Sequence, residues 1–158
     1  MIYAGIGSRE TPCDIFLRMQ DWGRYFAQNG YVLRSGHARG SDQAFEYGCD
    51  MALAGDKAKQ IFTADMSFRN PQWFDHAAKF HPAWDRCSSF AKALHARNSA
   101  IVLGSELNDP VKLVVCWTKD GKASGGTGQA LRIAEHHQIP IFNLHDEQAE
   151  QRLREWLS

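Results

Sequence analysis

A chain of 158 residues with 44% apolar composition is long enough to bury one core, which argues against a disordered protein. Lysine plus arginine and aspartate plus glutamate balance at 18 each, so no global basic field marks a nucleic-acid coat or a membrane-surface protein. A local anion site remains open to it. No apolar run approaches the roughly 20 residues that span a bilayer, and the N-terminus enters a strand pattern without a signal-type basic region. Cys13, Cys49, Cys87 and Cys116 lie far apart without CxxC spacing, as expected of free thiols in a reducing, cytoplasmic setting.

The elements alternate along the chain. Ile2 to Ile6 reads as a short buried strand, and Thr11-Pro12 opens a helix whose Ile15, Phe16, Met19, Trp22 and Phe26 recur at helical spacing until Asn29-Gly30. Tyr31-Val32-Leu33 forms the second strand. Gly40-Ser41-Asp42 starts a second helix, striped by Ala44, Phe45, Cys49, Ala52 and Leu53 up to Gly55, and Gln60-Ile61-Phe62 is the third strand. From Ala64 to about Phe90 the rhythm breaks, with Phe68, Trp73, Phe74, Phe80 and Trp84 beside His76 and His81. That aromatic stretch, 65–90, predicts either packing and subunit contact or a lid over a base. A helix ending near Asn98 follows, with Ile101-Val102-Leu103 assignable to it or to a strand. Val111 to Trp117 has the continuous apolar character of a strand covered on both faces. A helix from Thr127 to His137, a strand from Pro140 to Leu144 and a charged helix from Asp146 to Leu157 complete the chain. This pattern predicts an α/β fold: a single Rossmann-like three-layer domain over 1–158, with a mostly parallel sheet and helices on both faces.

Three glycine-rich turns join strands to helices, where such folds bind ligands. In the first, Gly7, Ser8 and Arg9 precede a helix, so a guanidinium and free N–H groups are available to a phosphate. The second carries Ser35, Gly36, His37, Arg39, Gly40, Ser41 and Asp42. Asp42 either caps its helix or meets ribose hydroxyls or acts as a base, and Glu46 one turn later is placed to face the same cleft. The third follows Thr118 and holds Gly125, Gly126, Thr127 and Gly128 at a helix start, the arrangement best suited to cradle phosphate. His76 and His81 do not share a helix face and His136-His137 point differently, so no metal site is expected.

These motifs, with Ala44-Phe45-Glu46 and Arg97-Asn98, occur in an order that resembles the SLOG superfamily of Rossmann-like domains. That superfamily includes YpsA-related proteins, the DNA-processing DprA proteins and the LOG phosphoribohydrolases. The resemblance covers residues 2 to about 144 and implies a nucleotide or nucleotide-derived ligand, ADP-ribose-like, contacted also by Arg97, Asn98 and Thr118. The LOG signature Pro-Gly-Gly-x-Gly-Thr-x-x-Glu is departed from: Ser124 replaces the proline, Gln129 the threonine, and Arg132 the catalytic glutamate. An oxocarbenium-like transition state gains from a carboxylate and loses from a cation, so the expectation is a sensor or sequestering protein, with Arg132 suited to a polyanion. N-glycosidic hydrolysis using Asp42 or Glu46 is the alternative. A DprA-like single-stranded DNA module is the third, although no long basic track is visible. His37 stands where relatives often have glycine, either narrowing the pocket or bonding to ligand. No cofactor is expected, and the apolar helix faces are compatible with a homodimer.

Overall fold

The strand over Leu113–Trp117 is buried at all five positions, which a strand achieves only with a layer on each face. In the computed structural model, which describes residues 1–53 and 55–158, it belongs to an all-parallel five-stranded sheet. The strands are β1 (Ile2–Gly7), β2 (Val32–Ser35), β3 (Lys59–Ile61), β4 (Leu113–Trp117) and β5 (Ile141–Asn143), in spatial order β3-β2-β1-β4-β5. The helices are α1 (Cys13–Gln28), α2 (Ser41–Met51), α3 (Ala64–Ser67), α4 (Pro71–Ala78), α5 (Ser89–Leu103), α6 (Gly125–His136) and α7 (Ala149–Leu157). The expected α2 terminus near Gly55 takes in Ala54, which lies outside the described residues.

Side-chain alternation along the strands builds two cores. Tyr3, Leu33, Leu113 and Val115 face one way, onto Met19 and Phe26 of α1, Phe45 of α2 and Leu153 of α7. Ala4, Ile6, Val114 and Cys116 face the other, onto Trp73 of α4, Ala96 and Ala100 of α5 and Ile133 of α6. The result is a Rossmann-like three-layer sandwich. Among the described residues, no helix is long and apolar enough to cross a membrane.

Two expectations change. Helix α5 does not end near Asn98; of the two assignments open for Ile101-Val102-Leu103 the helical one holds, and Arg97 lies in the helix interior. Every residue from Asn98 to Leu103 is buried, and a helix end enclosed on all sides carries no amphipathic stripe. The aromatic stretch is also more regular than its sequence suggests. It folds into α3, α4 and a 3-10 turn at Trp84–Arg86. Trp73 is 1% exposed, its indole N–H donates to the Ser105 carbonyl at 2.8 Å, and Phe74, Phe80 and Trp84 pack on the same core. These rings fill a layer rather than form a lid. Phe68 and Phe90 remain exposed.

The chain leaves β1 toward β2 on one side and reaches β4 on the other. This topological switch point opens a crevice beyond the C-terminal strand ends. Gly7 pairs with Trp117 at the end of that ladder, and the Ser8 N–H donates to the Trp117 carbonyl at 3.0 Å.

Candidate functional site

A cavity of about 610 Å³ occupies that crevice. Its walls come from Gly7 at the end of β1 with Ser8 and Arg9 after it, Ala38 and Asp42 around the start of α2, Thr118 and Lys119 after β4, and Ser124 to Thr127 at the start of α6. Helix α5 supplies Phe90, Leu94, His95, Arg97 and Asn98. Parts of all three turns therefore meet at one place.

The first two turns are interlocked. The Thr11 hydroxyl donates to the Ser8 carbonyl at 2.6 Å and lies 2.6 Å from the Ser41 hydroxyl, while the Ser41 N–H donates to the Ser8 carbonyl at 3.3 Å. Gly40 has φ +83°, and a Cβ there would overlap the backbone of Ser8 and Arg9, so only glycine suits this junction. In the third turn, Asp120 accepts the Lys122 N–H at 3.0 Å and the Ser124 hydroxyl at 2.7 Å, which closes the loop ahead of α6. The helix starts at Gly125, two residues earlier than expected, and Ser124 makes no side-chain capping bond. The N–H groups of Gly125, Gly126 and Thr127 have no intrahelical acceptor at such a terminus, and all three residues line the cavity. A Cβ on Gly126 would meet nothing within 4 Å. Open space, rather than protein, lies against this backbone.

Helix α5 fastens two of the turns. The Arg97 guanidinium donates from Nη1 to the Gly36 carbonyl at 2.8 Å, and the next residue, Asn98, donates from Nδ2 to the Gly126 carbonyl at 3.1 Å. Thr118 is held from below by Asn143, whose Nδ2 donates to its hydroxyl oxygen at 2.7 Å. The Thr118 hydroxyl hydrogen is left for another acceptor.

Asp42 does not cap α2. Its Oδ2 accepts the N–H groups of Gly36 at 3.2 Å and Ala38 at 3.3 Å, both upstream of the helix, so it braces the second turn from inside. Burial raises its pKa from 3.8 to about 6, against the opposing pull of Arg97 and the backbone donors. Arg97 is shifted down by its own burial, opposed by Asp42 and reinforced by Arg9. His95 is pushed down to about 4 by burial and by His81, Arg132 and Arg97, so it is neutral at pH 7. At the rim, Lys119 and Glu10 pair at 3.5 Å. What remains is two guanidiniums, Arg9 and Arg97, around one carboxyl, an excess of positive charge beside uncapped helix N–H groups.

Several expected contacts are redirected. Glu46 does not face the cleft. It is bound by His37 Nδ1 at 2.6 Å and by Lys59 Nζ at 3.2 Å, a partner that approaches from β3. His37, with φ +60°, turns its ring outward to that carboxylate instead of narrowing the pocket. The buried Ser35 hydroxyl donates to the Gly5 carbonyl at 2.6 Å, and Gly36 is covered by Arg97, so both shape the turn without lining the cavity. Arg39 is exposed and does not reach the walls, and Gly128 packs against the Ala123 backbone. Arg132 is likewise unavailable to a polyanion. It donates to the Phe80 carbonyl at 2.8 Å and to Gln129 Oε1 at 2.9 Å, tying α6 to the end of α4.

Leu94 and His95 escaped the sequence reading, whereas Phe90 closes the aromatic stretch for which contact with a base was one expectation. The signal was there: stepping back from Arg97-Asn98 by one and two helical turns reaches these positions. Compared with known proteins, the chain matches no family model, no curated protein and no solved structure.

Proposed function

We propose that this chain binds a phosphorylated nucleotide or nucleotide-derived molecule in the cavity between β1 and β4, as a sensor or sequestering protein. The observation that carries the reading is the uncapped start of α6, Gly125 to Thr127, in one cavity wall with Arg9, Arg97 and Thr118 in the others. Backbone donors at a helix N-terminus and guanidinium groups are the two standard means of holding a phosphate. Phe90 and Leu94 add an apolar wall suited to the flat face of a base. The volume lies within the range of small-molecule sites. The order of motifs that resembles the SLOG superfamily supports the same ligand class.

Isothermal calorimetry against ADP-ribose, cyclic nucleotides and nucleoside monophosphates tests this. Saturable binding that weakens on Arg9→Ala is expected. Absence of heat with every compound at millimolar concentration refutes the proposal.

A second reading rests on Asp42 alone. A buried carboxyl that lines the cavity and has a pKa of about 6 is suited to exchange a proton near neutral pH. With Glu46 held by His37 and Lys59, Asp42 is the buried carboxyl in the cavity wall to which this reading assigns N-glycosidic hydrolysis. Base release from a nucleoside monophosphate, followed by chromatography, should then vanish in Asp42→Asn. Base release that survives this substitution removes Asp42 from the chemistry.

A further inference from the structure

Behind the cavity, three potential metal ligands converge from separate parts of the chain. His81 follows α4, Cys87 follows the 3-10 turn at Trp84–Arg86, and His95 projects from α5. One donor atom from each lies within 4.8 Å of the others. Cys87 Sγ is 3.8 Å from His81 Nε2 and 3.9 Å from Nδ1, too long for strong hydrogen bonds. Tetrahedral zinc, with bonds of about 2.3 Å to sulfur and 2.0 Å to nitrogen, sets these atoms roughly 3.6 Å apart.

A second observation is independent of spacing. His95 Nδ1 is buried and has no hydrogen-bond partner among the described residues. Buried polar atoms ordinarily find partners, so an orphan next to a thiol and an imidazole calls for one. We propose that His81, Cys87 and His95 form a binding site for a borderline-soft transition metal, zinc being the reference ion. The inference does not rest on the proposed nucleotide binding, although His95 also lines that cavity.

The chemistry selects the ion class. The set contains two imidazoles and one thiol but no carboxylate, so Mg²⁺ and Ca²⁺, which need several oxygen ligands, find nothing here. Among the three side chains only Cys87 supplies an anionic ligand, its thiolate, to balance a dication. Binding expels the Cys87 thiol proton to solvent and leaves a Cys–zinc bond, while both imidazoles bind as neutral ligands. His81 must release the Ala83 N–H, which it now accepts at 3.0 Å, in order to present a lone pair to the metal while keeping its proton. That costs this loop hydrogen bond, and loss of the thiol proton also ends the donation from Cys87 Sγ to the Ala83 carbonyl at 3.6 Å. Three protein ligands leave a fourth position for water or another ligand, the pattern of an open zinc site. Because His95 also lines the main cavity, the metal would stand directly behind its wall.

Zinc titrated into the reduced, chelator-stripped full chain, in competition with a chromophoric chelator, should bind at one ion per chain with a Kd below about 1 μM. Cys87→Ser and His95→Gln should each raise that Kd on the order of a hundredfold, the upper end of what losing even a supporting residue costs. Cobalt should give a thiolate charge-transfer band that is absent in Cys87→Ser. A measurement on the unaltered chain guards against misfolded variants: zinc should slow alkylation of Cys87 and leave the exposed Cys13 unaffected. Failure to take up stoichiometric zinc, or uptake with Cys87 alkylated at the metal-free rate, overturns the site.

Discussion

Asp42→Asn separates what burial does to this carboxyl from what its partners do. In the folded chain the Asp42 pKa is raised from 3.8 to about 6, with desolvation outweighing Arg97 and the backbone N–H groups. The folded state thus holds the proton more tightly than the unfolded state. The associated stability is full below pH 3.8 and is lost as pH rises through about 6. At about 1.4 kcal/mol per unit, the shift amounts to about 3 kcal/mol. Asparagine removes the titration yet keeps one oxygen, sufficient for both the Gly36 and Ala38 N–H groups because both donate to Oδ2.

Urea unfolding of both proteins from about pH 3 to pH 8 gives the test. Wild-type stability minus variant stability should fall by up to about 1.4 kcal/mol per pH unit between about 4 and 6, then level off. A constant offset from amide packing leaves that slope untouched. If the difference is flat through this window, or rises with pH, then Arg97 and the backbone donors outweigh burial and the reasoning fails. A bound phosphate should raise the Asp42 pKa further, so nucleotide affinity should tighten as pH falls toward 6 in the wild type and not in the variant.

Gly126→Ala should leave urea stability within about 1 kcal/mol, the helix propensity difference, yet weaken nucleotide binding in calorimetry, because the new methyl enters open space at the cavity wall. Asn98→Ala strands the Gly126 carbonyl from its side-chain donor and should cost roughly 1–3 kcal/mol in urea unfolding, with loss of ligand affinity. Trp73→Ala should cost about 3–5 kcal/mol, whereas exposed Phe68→Ala should stay within about 0.5 kcal/mol, measured in the same way. Equal costs at these two aromatics would reject the assignment of Trp73 to the core.

The layered fold was legible because each central strand is a short apolar run that stops at a turn, a signal that needs no tertiary knowledge. The C-terminal half of α5 was not, since Ile101-Val102-Leu103 is apolar and buried all round with two β-branched residues, and periodicity cannot tell such a segment from a strand. Helices α3 and α4, four and eight residues long, are too short to show a stripe. Of the residues that line the cavity, Gly7, Ser8, Arg9, Asp42 and Gly125 to Thr127 were named from turn chemistry, and Arg97, Asn98 and Thr118 through the family resemblance. Glu46 was misplaced because helical spacing from Asp42 says nothing of Lys59 and His37, which claim its carboxylate. Arg132 was misplaced for the same kind of reason. The Phe80 carbonyl that binds it lies 52 positions earlier.

The order imposed on the turns comes from a helix that contains none of them. Arg97 grips the second turn through Gly36, and Asn98 grips the third through Gly126. Adjacent residues on a helix diverge by about 100°, so one turn of α5 reaches both sides of the crevice. Beyond them, Ser99 to Leu103 are sealed in the core, which denies this helix freedom to slide. The first turn joins through Ser8 and Ser41 rather than through α5. The cleft therefore presents glycine-rich backbone that is already ordered in the fold, held by hydrogen bonds to α5. Preorganisation of this kind favours tight recognition of an anion over closure of a mobile loop upon it.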